Sequence, residues 1–188
     1  MRADFDILEA LIRDEALASV EHSYGKKALV LTESGNTPGS GYSLTVRDVP
    51  DDAIALKADA FPAPISIFRG DNGECKRADF VIIASDGGSK WVVYIEMKKG
   101  GGRTELEIVR QLRGAECLIA YCRAIGQKFW QAHNFLDNSY RPCFVSVRDI
   151  GAQKRPSFPQ RSARHDAPER MLKIKAPPNS TVRFKQLV

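Results

Sequence analysis

Two apolar runs joined by a glycine-containing turn constrain the fold of this chain more than any other feature. Residues 80–83 (FVII) and 92–95 (VVYI) are continuously apolar, without the alternation of a half-exposed strand. Strands with this pattern are typically buried on both faces of a sheet. Residues 85–89 (SDGGS) lie between them, and their paired glycines supply the positive φ that a tight hairpin turn needs. The sequence therefore predicts a buried β-hairpin with strands at 77–84 and 90–98.

The same hairpin places two acids opposite each other. If the turn is centred on Gly87 and Gly88, paired residue numbers sum to 175, so Asp79 faces Glu96. Directly paired side chains share a face, with Cβ atoms roughly 5 Å apart, and Lys98 lies two residues further along that face. Adjacent carboxylates repel, and a protein tolerates them mainly when a cation lies between them. We interpret the pair as a metal site; the alternative is an amphipathic hairpin on which Lys98 neutralises Glu96.

An acid on one strand followed by Glu-x-Lys on the next resembles the PD-(D/E)xK nuclease superfamily. The matching residues are Asp79 and then Glu96-Met97-Lys98, while Ala78 stands where that family often has proline. The resemblance implies an α/β fold with a restriction-endonuclease-like core: a helix, three antiparallel strands, a second helix and a further strand. Its mixed sheet would have a central antiparallel hairpin flanked by helices.

The resemblance also implies roles for the three matching residues. Asp79 and Glu96 would bind Mg²⁺, for which Mn²⁺ is expected to substitute, and Lys98 would assist the attacking water or stabilise developing charge. Mg²⁺ is a hard cation that prefers carboxylate and water oxygens, so the residue types suit this role. The implied activity is hydrolysis of phosphodiester bonds.

Two further residues are candidates for the catalytic site. Residues 4–22 are predicted to form a helix, and Glu15 falls inside its apolar stripe. The resemblance implies a further acid from the first helix; the alternative is an edge glutamate that reaches water. A capping box of Thr104 and Glu107 predicts a second helix. This helix carries Gln111, where the resemblance implies a glutamine near the site.

The positive charge of the chain is concentrated near its end. Residues 151–188 carry a net charge of +7, whereas the rest of the chain sums to −2. Cations beside a carboxylate site favour a polyanionic substrate; a solubilising surface is the alternative. Residues 151–168 have the composition of a basic loop or mobile arm. The predicted nucleic-acid-binding residues are Lys99, Arg103, Arg110, Lys154, Arg155, Arg161 and Arg164.

The remaining sequence indicates one domain spanning residues 1–188. No apolar run approaches the roughly 20 residues of a membrane span, and four cysteines without a CxxC pair suggest free thiols in a reducing cytoplasm. Residues 48–64 are predicted to cross the surface, with a short helix at 52–58. Further strands are predicted at 27–32, 42–46, 65–68, 142–147, 171–175 and 181–187.

These observations predict a cytoplasmic, Mg²⁺-dependent nuclease that acts on nucleic acid, with DNA favoured over RNA and no membrane partner. It would be a homodimer or a subunit of a larger complex, as in the cutting component of a bacterial defence, restriction or repair system. The alternative is a non-catalytic nucleic-acid-binding or interaction subunit that keeps the nuclease fold. A carboxylate enzyme acting on sugars is disfavoured by the missing aromatic platforms and the basic tail.

Overall fold

The computed structural model describes residues 3–23, 25–33, 42–98, 104–149, 157 and 164–188. Within these residues it contains two α-helices and nine strands. The helices are α1 (Ala3–Leu11) and α2 (Glu105–Phe129). The strands are β1 (Ser19–Ser23), β2 (Lys26–Glu33), β3 (Tyr42–Arg47), β4 (Asp52–Lys57), β5 (Phe80–Ser85), β6 (Lys90–Lys98), β7 (Tyr140–Asp149), β8 (Leu172–Ala176) and β9 (Ser180–Arg183).

The strands form two mixed sheets. The larger has the order β4-β5-β6-β7-β8, in which β4, β5 and β6 are antiparallel and β6, β7 and β8 run parallel. The smaller has the order β1-β2-β3-β9, and its last pair is parallel. The predicted α/β class with a mixed sheet and a central antiparallel hairpin is therefore confirmed.

The five-stranded sheet is covered on both faces. One apolar cluster packs it against the four-stranded sheet, and a second packs its other face against α1 and α2. Along β6, Val93 and Ile95 belong to the first cluster, whereas Val92 and Tyr94 belong to the second. The uninterrupted apolar runs thus follow from burial on both faces.

The hairpin register agrees with the prediction. Every residue pair between β5 and β6 sums to 175, beginning with Phe80 opposite Ile95. The turn occupies residues 86–89, where Gly87 has a φ of 87°, a left-handed conformation that favours glycine. β5 begins at Phe80, three residues later than predicted.

The predicted first helix over 4–22 is too long. α1 ends at Leu11, a short 3₁₀ turn spans Asp14–Ala16, and the chain then enters β1. The backbone N–H of Ala18 donates to the carbonyl oxygen of Ala55 at 2.9 Å. Backbone pairing with β4 has therefore replaced the helical hydrogen bonds. The helical spacing of apolar residues does not reveal that a distant strand offers this pairing.

The segment 48–64 is not a surface excursion. Its centre is β4, which pairs with β5 and buries residues 53–56, where a short helix was predicted. Acids and prolines surround this short apolar run and dominate the composition of the segment, which explains the error. The predicted strand at 65–68 is also wrong, since Ile65 and Ile67 are 74% and 77% exposed in a turn.

The C-terminal elements divide between the sheets. β7 is longer than predicted, and β8 extends the five-stranded sheet beside it, whereas β9 pairs with β3 in the other sheet. α2 begins with the predicted capping box, in which Thr104 Oγ1 accepts from the N–H of Glu107 at 3.3 Å. Among the described residues, neither helix has the length and apolar character required to span a bilayer.

Candidate functional site

Asp79 and Glu96 lie together on the helix-facing side of the five-stranded sheet. Asp79 immediately precedes β5, at the position opposite Glu96 in the hairpin register. One carboxylate oxygen of Asp79 accepts the backbone N–H of Met97 at 2.6 Å, which fixes its side chain against β6. Asp79 is 8% exposed and Glu96 is 0% exposed. The structure therefore brings the two predicted acids together in a buried setting.

Glu96 is incompletely compensated. Lys98 Nζ forms an ion pair with Glu96 Oε1, as the amphipathic-hairpin alternative anticipates. However, that contact occupies only Oε1, and Glu96 Oε2 has no hydrogen-bond partner among the described residues. A buried carboxylate normally needs both charge pairing and hydrogen bonds to offset its desolvation. Glu96 thus retains acceptor capacity beside Asp79.

The electrostatic environment of Asp79 disfavours its charged form. Burial raises the pKa of Asp79 to about 7, while Lys98 and the hydrogen bond from Met97 oppose this shift. The carboxylates of Glu33 and Asp59 repel the charged form of Asp79 and so raise its pKa further. A cation at this position would stabilise the ionised pair.

Helix α2 holds the backbone that leads into Asp79. Gln111 is buried, and its side-chain Nε2 donates to the carbonyl oxygen of Arg77 at 3.3 Å, whereas its Oε1 has no partner among the described residues. One turn further along, a Cβ on Gly114 would lie 1.8 Å from the carbonyl oxygen of Lys76. Only glycine allows this close approach. Gln111 therefore contacts the backbone of the segment that precedes Asp79, and its catalytic role stays a prediction.

Glu15 occupies a different environment from the predicted one. It lies on the 3₁₀ turn Asp14–Ala16 with its side chain exposed, so the prediction that it sits within a buried helical stripe is wrong. Its carbonyl oxygen accepts a hydrogen bond from Lys57 Nζ at 3.0 Å, at the end of β4. The chain leaves the helix before residue 15, and this removes Glu15 from the stripe.

The predicted nucleic-acid-binding residues are only partly described. Arg110 is half-buried and packs over Gly73, where a Cβ would lie 2.7 Å from Arg110 Cδ. Arg164 is exposed. The others, Lys99, Arg103, Lys154, Arg155 and Arg161, lie outside the described residues, as does most of the predicted arm at 151–168.

Four polar residues that the sequence analysis missed extend the site across β7 and β8. In the register, Ser146 lies opposite Glu96, and Lys173 lies opposite Ser146. Two residues further along, Arg148 lies opposite Lys98 and Lys175 lies opposite Arg148. The sequence pattern that could have revealed them is the alternation of apolar and polar residues over 145–148 and 172–176, which places the polar ones on one face of each strand.

The described residues contain no group of three or more His, Cys, Asp or Glu side chains arranged to hold a metal ion. Asp79 and Glu96 are a pair of carboxylates, and Mg²⁺ is commonly bound by one or two carboxylates together with waters and substrate phosphates. No protein-family model, curated protein or solved structure matches this chain. The chemistry of the site is therefore inferred from its own residues and contacts.

Proposed function

We propose that this chain is a metal-dependent nuclease that hydrolyses phosphodiester bonds, with DNA as the favoured substrate. The observation that carries the proposal is the opposed pair of buried acids, Asp79 and Glu96, with Lys98 beside them. Two adjacent carboxylates, one of which has an oxygen without a hydrogen-bond partner among the described residues, form an arrangement that a divalent cation would stabilise.

The order of elements supports a restriction-endonuclease-like core. Without β1 to β3, which follow α1, the chain runs α1, β4, β5, β6, α2 and β7. This matches the order that the PD-(D/E)xK resemblance implies: a helix, three antiparallel strands, a second helix and a further strand. The acids also lie on the hairpin between the second and third of those strands.

The residues fit the metal that the resemblance implies. Asp79 and Glu96 would hold Mg²⁺ or Mn²⁺, because both offer carboxylate oxygens and Glu96 Oε2 accepts no hydrogen bond from the described residues. When bound, the metal would supply Lewis acidity and lower the pKa of a coordinated water. The remaining ligand positions would be left to water and to the phosphate of the substrate.

The other residues would orient substrate and backbone. Lys98 is 12% exposed at its side chain and pairs with Glu96, so its ammonium is held at the edge of the acid pair. From there it would donate hydrogen bonds to a phosphate oxygen on which negative charge develops. Gln111 would act through the backbone at Arg77, which it holds two residues before Asp79.

The proposal is tested by incubating the purified protein with supercoiled plasmid, linear duplex DNA, single-stranded DNA and RNA. Each substrate is supplied with Mg²⁺, Mn²⁺ or EDTA. We expect cleavage of DNA with either metal and none in EDTA. The four substrates also separate DNA from RNA and endonuclease from exonuclease activity. Full activity in EDTA, or no cleavage of any substrate with metal, would contradict the proposal.

A second candidate is a nucleic-acid-binding or interaction subunit without catalysis, and the ion pair between Lys98 and Glu96 favours it. An internal cation already offsets part of the charge of the pair. Isothermal calorimetry with Mg²⁺ separates the candidates, because binding that Glu96→Gln abolishes supports the metal site.

For both candidates, we propose a cytoplasmic protein that acts as a homodimer or as a subunit of a bacterial DNA defence, restriction or repair system.

A further inference from the structure

Three cations lie side by side at the carboxyl ends of the parallel strands. Lys98, Arg148 and Lys175 occupy directly paired positions on β6, β7 and β8, so they share the helix-facing side of the sheet. Neighbouring strands are about 4.8 Å apart, which places the outer two roughly 10 Å from each other. Like charges in directly opposite positions destabilise a sheet. An anionic partner would relieve this repulsion.

The compensation of these charges differs along the row. Lys98 is paired with Glu96, whereas neither Arg148 nor Lys175 forms an ion pair within the part of the chain that the structure describes. Both are exposed. Lys173, in the adjacent row, forms an ion pair with Glu105 of α2 at 2.7 Å. Positive charge thus accumulates on the β7 and β8 side of the acid pair.

Arg148, Lys173 and Lys175 border a cavity of about 190 Å³ between β7, β8 and the first turn of α2. Its lining includes Glu105, Ile108, Ser146, Arg148, Met171 and Lys173. Ser146 is buried and lies opposite Glu96 in the register, so the cavity begins beside the acid pair. A volume of this size holds several waters, each occupying about 30 Å³ in the liquid, or a phosphate group with part of its hydration.

A second basic cluster on the molecule has its positive charge partly neutralised by an acid of the same chain. Lys26, Arg47 and Arg183 lie on the four-stranded sheet, away from the end that carries Glu33. Asp48 lies among them, 3.1 Å from Lys26 and 3.7 Å from Arg183. An acid of the chain partly neutralises this cluster, whereas Arg148 and Lys175 have no such acid among the described residues.

The geometry points to a phosphate-docking strip formed by Arg148, Lys173 and Lys175, which holds the sugar–phosphate backbone on the β7 and β8 side of Asp79 and Glu96. The inference rests on the proposed function, since it assigns the strip to the substrate of that site. Regularly spaced phosphates can meet a row of cations that crosses successive strands, and such contacts position a nucleic acid without reading its bases. A cut strand would therefore extend from the acids over β7 toward β8.

The strip is tested by comparing two double variants. Arg148→Gln with Lys175→Gln removes its two uncompensated charges, and Lys26→Gln with Arg183→Gln removes two exposed charges that Asp48 compensates in the second cluster. Dissociation constants for a short fluorescein-labelled DNA duplex are measured in EDTA over a series of salt concentrations. Log affinity falls linearly with log salt, and loss of two phosphate contacts should make this slope less negative by about 1.8. It should also weaken binding about tenfold at moderate salt. The control variant should change neither quantity.

The melting temperature of each variant shows whether it is folded, and the inference also predicts the direction in which it changes. Removing opposed like charges relieves repulsion, so the strip variant should melt at or above the wild-type temperature. An unchanged salt slope, or equal losses in both double variants, would overturn the strip. The same would follow if wild-type protein bound no DNA at low salt. If the wild type binds DNA through the strip but cleaves nothing with metal, the strip stands and the nuclease proposal fails.

Discussion

The two sheets of this protein differ in how many faces they bury, and this difference decides what a charged residue means on each. In the four-stranded sheet, β3 alternates buried and partly exposed residues. In the five-stranded sheet, all six residues of β5 and seven of nine in β6 are buried. A charge on the outer face of the first sheet is hydrated, whereas a charge inside the second must find compensation within the protein.

Two glutamates illustrate the contrast. Glu21 on β1 is exposed, so water solvates its carboxylate. Glu96 on β6 is 0% exposed; Lys98 pairs with its Oε1, and its Oε2 has no hydrogen-bond partner among the described residues. Burial of such a group is unfavourable for the apo protein, and the proposed metal site would offset this cost.

The largest expected effect comes from removing the charge of either buried acid. If the proposed function is right, Glu96→Gln and Asp79→Asn should each lower metal-dependent cleavage by at least about 1,000-fold, because each removes a charge from the proposed metal site. The isosteric change Glu21→Gln on the four-stranded sheet should leave the rate unchanged. Initial rates on plasmid DNA with Mg²⁺ measure the difference, and circular dichroism checks the fold. Near-wild-type cleavage by either buried variant would remove the site assignment.

Lys98 should give the next largest effect. Lys98→Met should lower the single-turnover rate about 100-fold, because it removes the proposed donor to the charge that develops on the phosphate. DNA affinity should change less than about threefold, since one lysine among 28 basic residues adds little to total phosphate attraction. The variant also leaves Glu96 unpaired, so Lys98→Arg serves as the folding control that keeps the charge. A large loss of affinity with an unchanged rate at saturation would make Lys98 a docking residue.

The stability of the apo protein should depend on pH through Asp79. Burial raises the pKa of Asp79 from 3.8 to about 7, so the folded protein keeps a proton that the unfolded chain releases. The associated stabilisation is complete below about pH 4 and is lost as pH rises through about 7. Asp79→Asn does not titrate and keeps an oxygen acceptor for Met97. Its free energy of unfolding, relative to wild type, should therefore rise by about 2 to 3 kcal/mol between about pH 5 and pH 8.

Urea denaturation in EDTA at each pH measures this change. Asp86→Asn on the hairpin turn is the matched control. Hydrogen bonds from the backbone of Ser89 and Gly88 hold the pKa of Asp86 below its ordinary value. Both folded and unfolded chains then carry a charged Asp86 above about pH 5, so the effect of this substitution should be flat over the same interval. A flat profile for Asp79→Asn would contradict the environment described for the acid pair.

Glu15 should give the smallest effect. If it completes the metal site, Glu15→Gln should weaken Mg²⁺ binding and cleavage. Its side chain is exposed on a 3₁₀ turn, so we expect the substitution to change the rate less than about twofold. Cleavage across a magnesium titration measures this. A shift of the titration midpoint to higher magnesium would return Glu15 to the catalytic site and show that an exposed acid contributes.

Short sequence patterns correctly predicted the elements whose conformation depends on residues that are close in sequence. The hairpin register follows from its glycine turn and the two apolar runs, and the start of α2 follows from the capping box of Thr104 and Glu107. Such patterns gave wrong predictions where the segment pairs with a strand that is distant in sequence. β4 and the end of α1 were both mispredicted, because pairing partners supplied by the folded chain changed their conformation.

The sequence by itself determined that Asp79 and Glu96 oppose each other, because side-chain alternation and the turn position fix that relation within one hairpin. Only the tertiary structure decided that Glu15 leaves the buried stripe and that Arg148 and Lys175 join the face of the acids. The physical reason is the range of the contacts. A hairpin is set by a few consecutive residues, whereas parallel pairing of β6, β7 and β8 joins segments separated by a whole helix or a long connection.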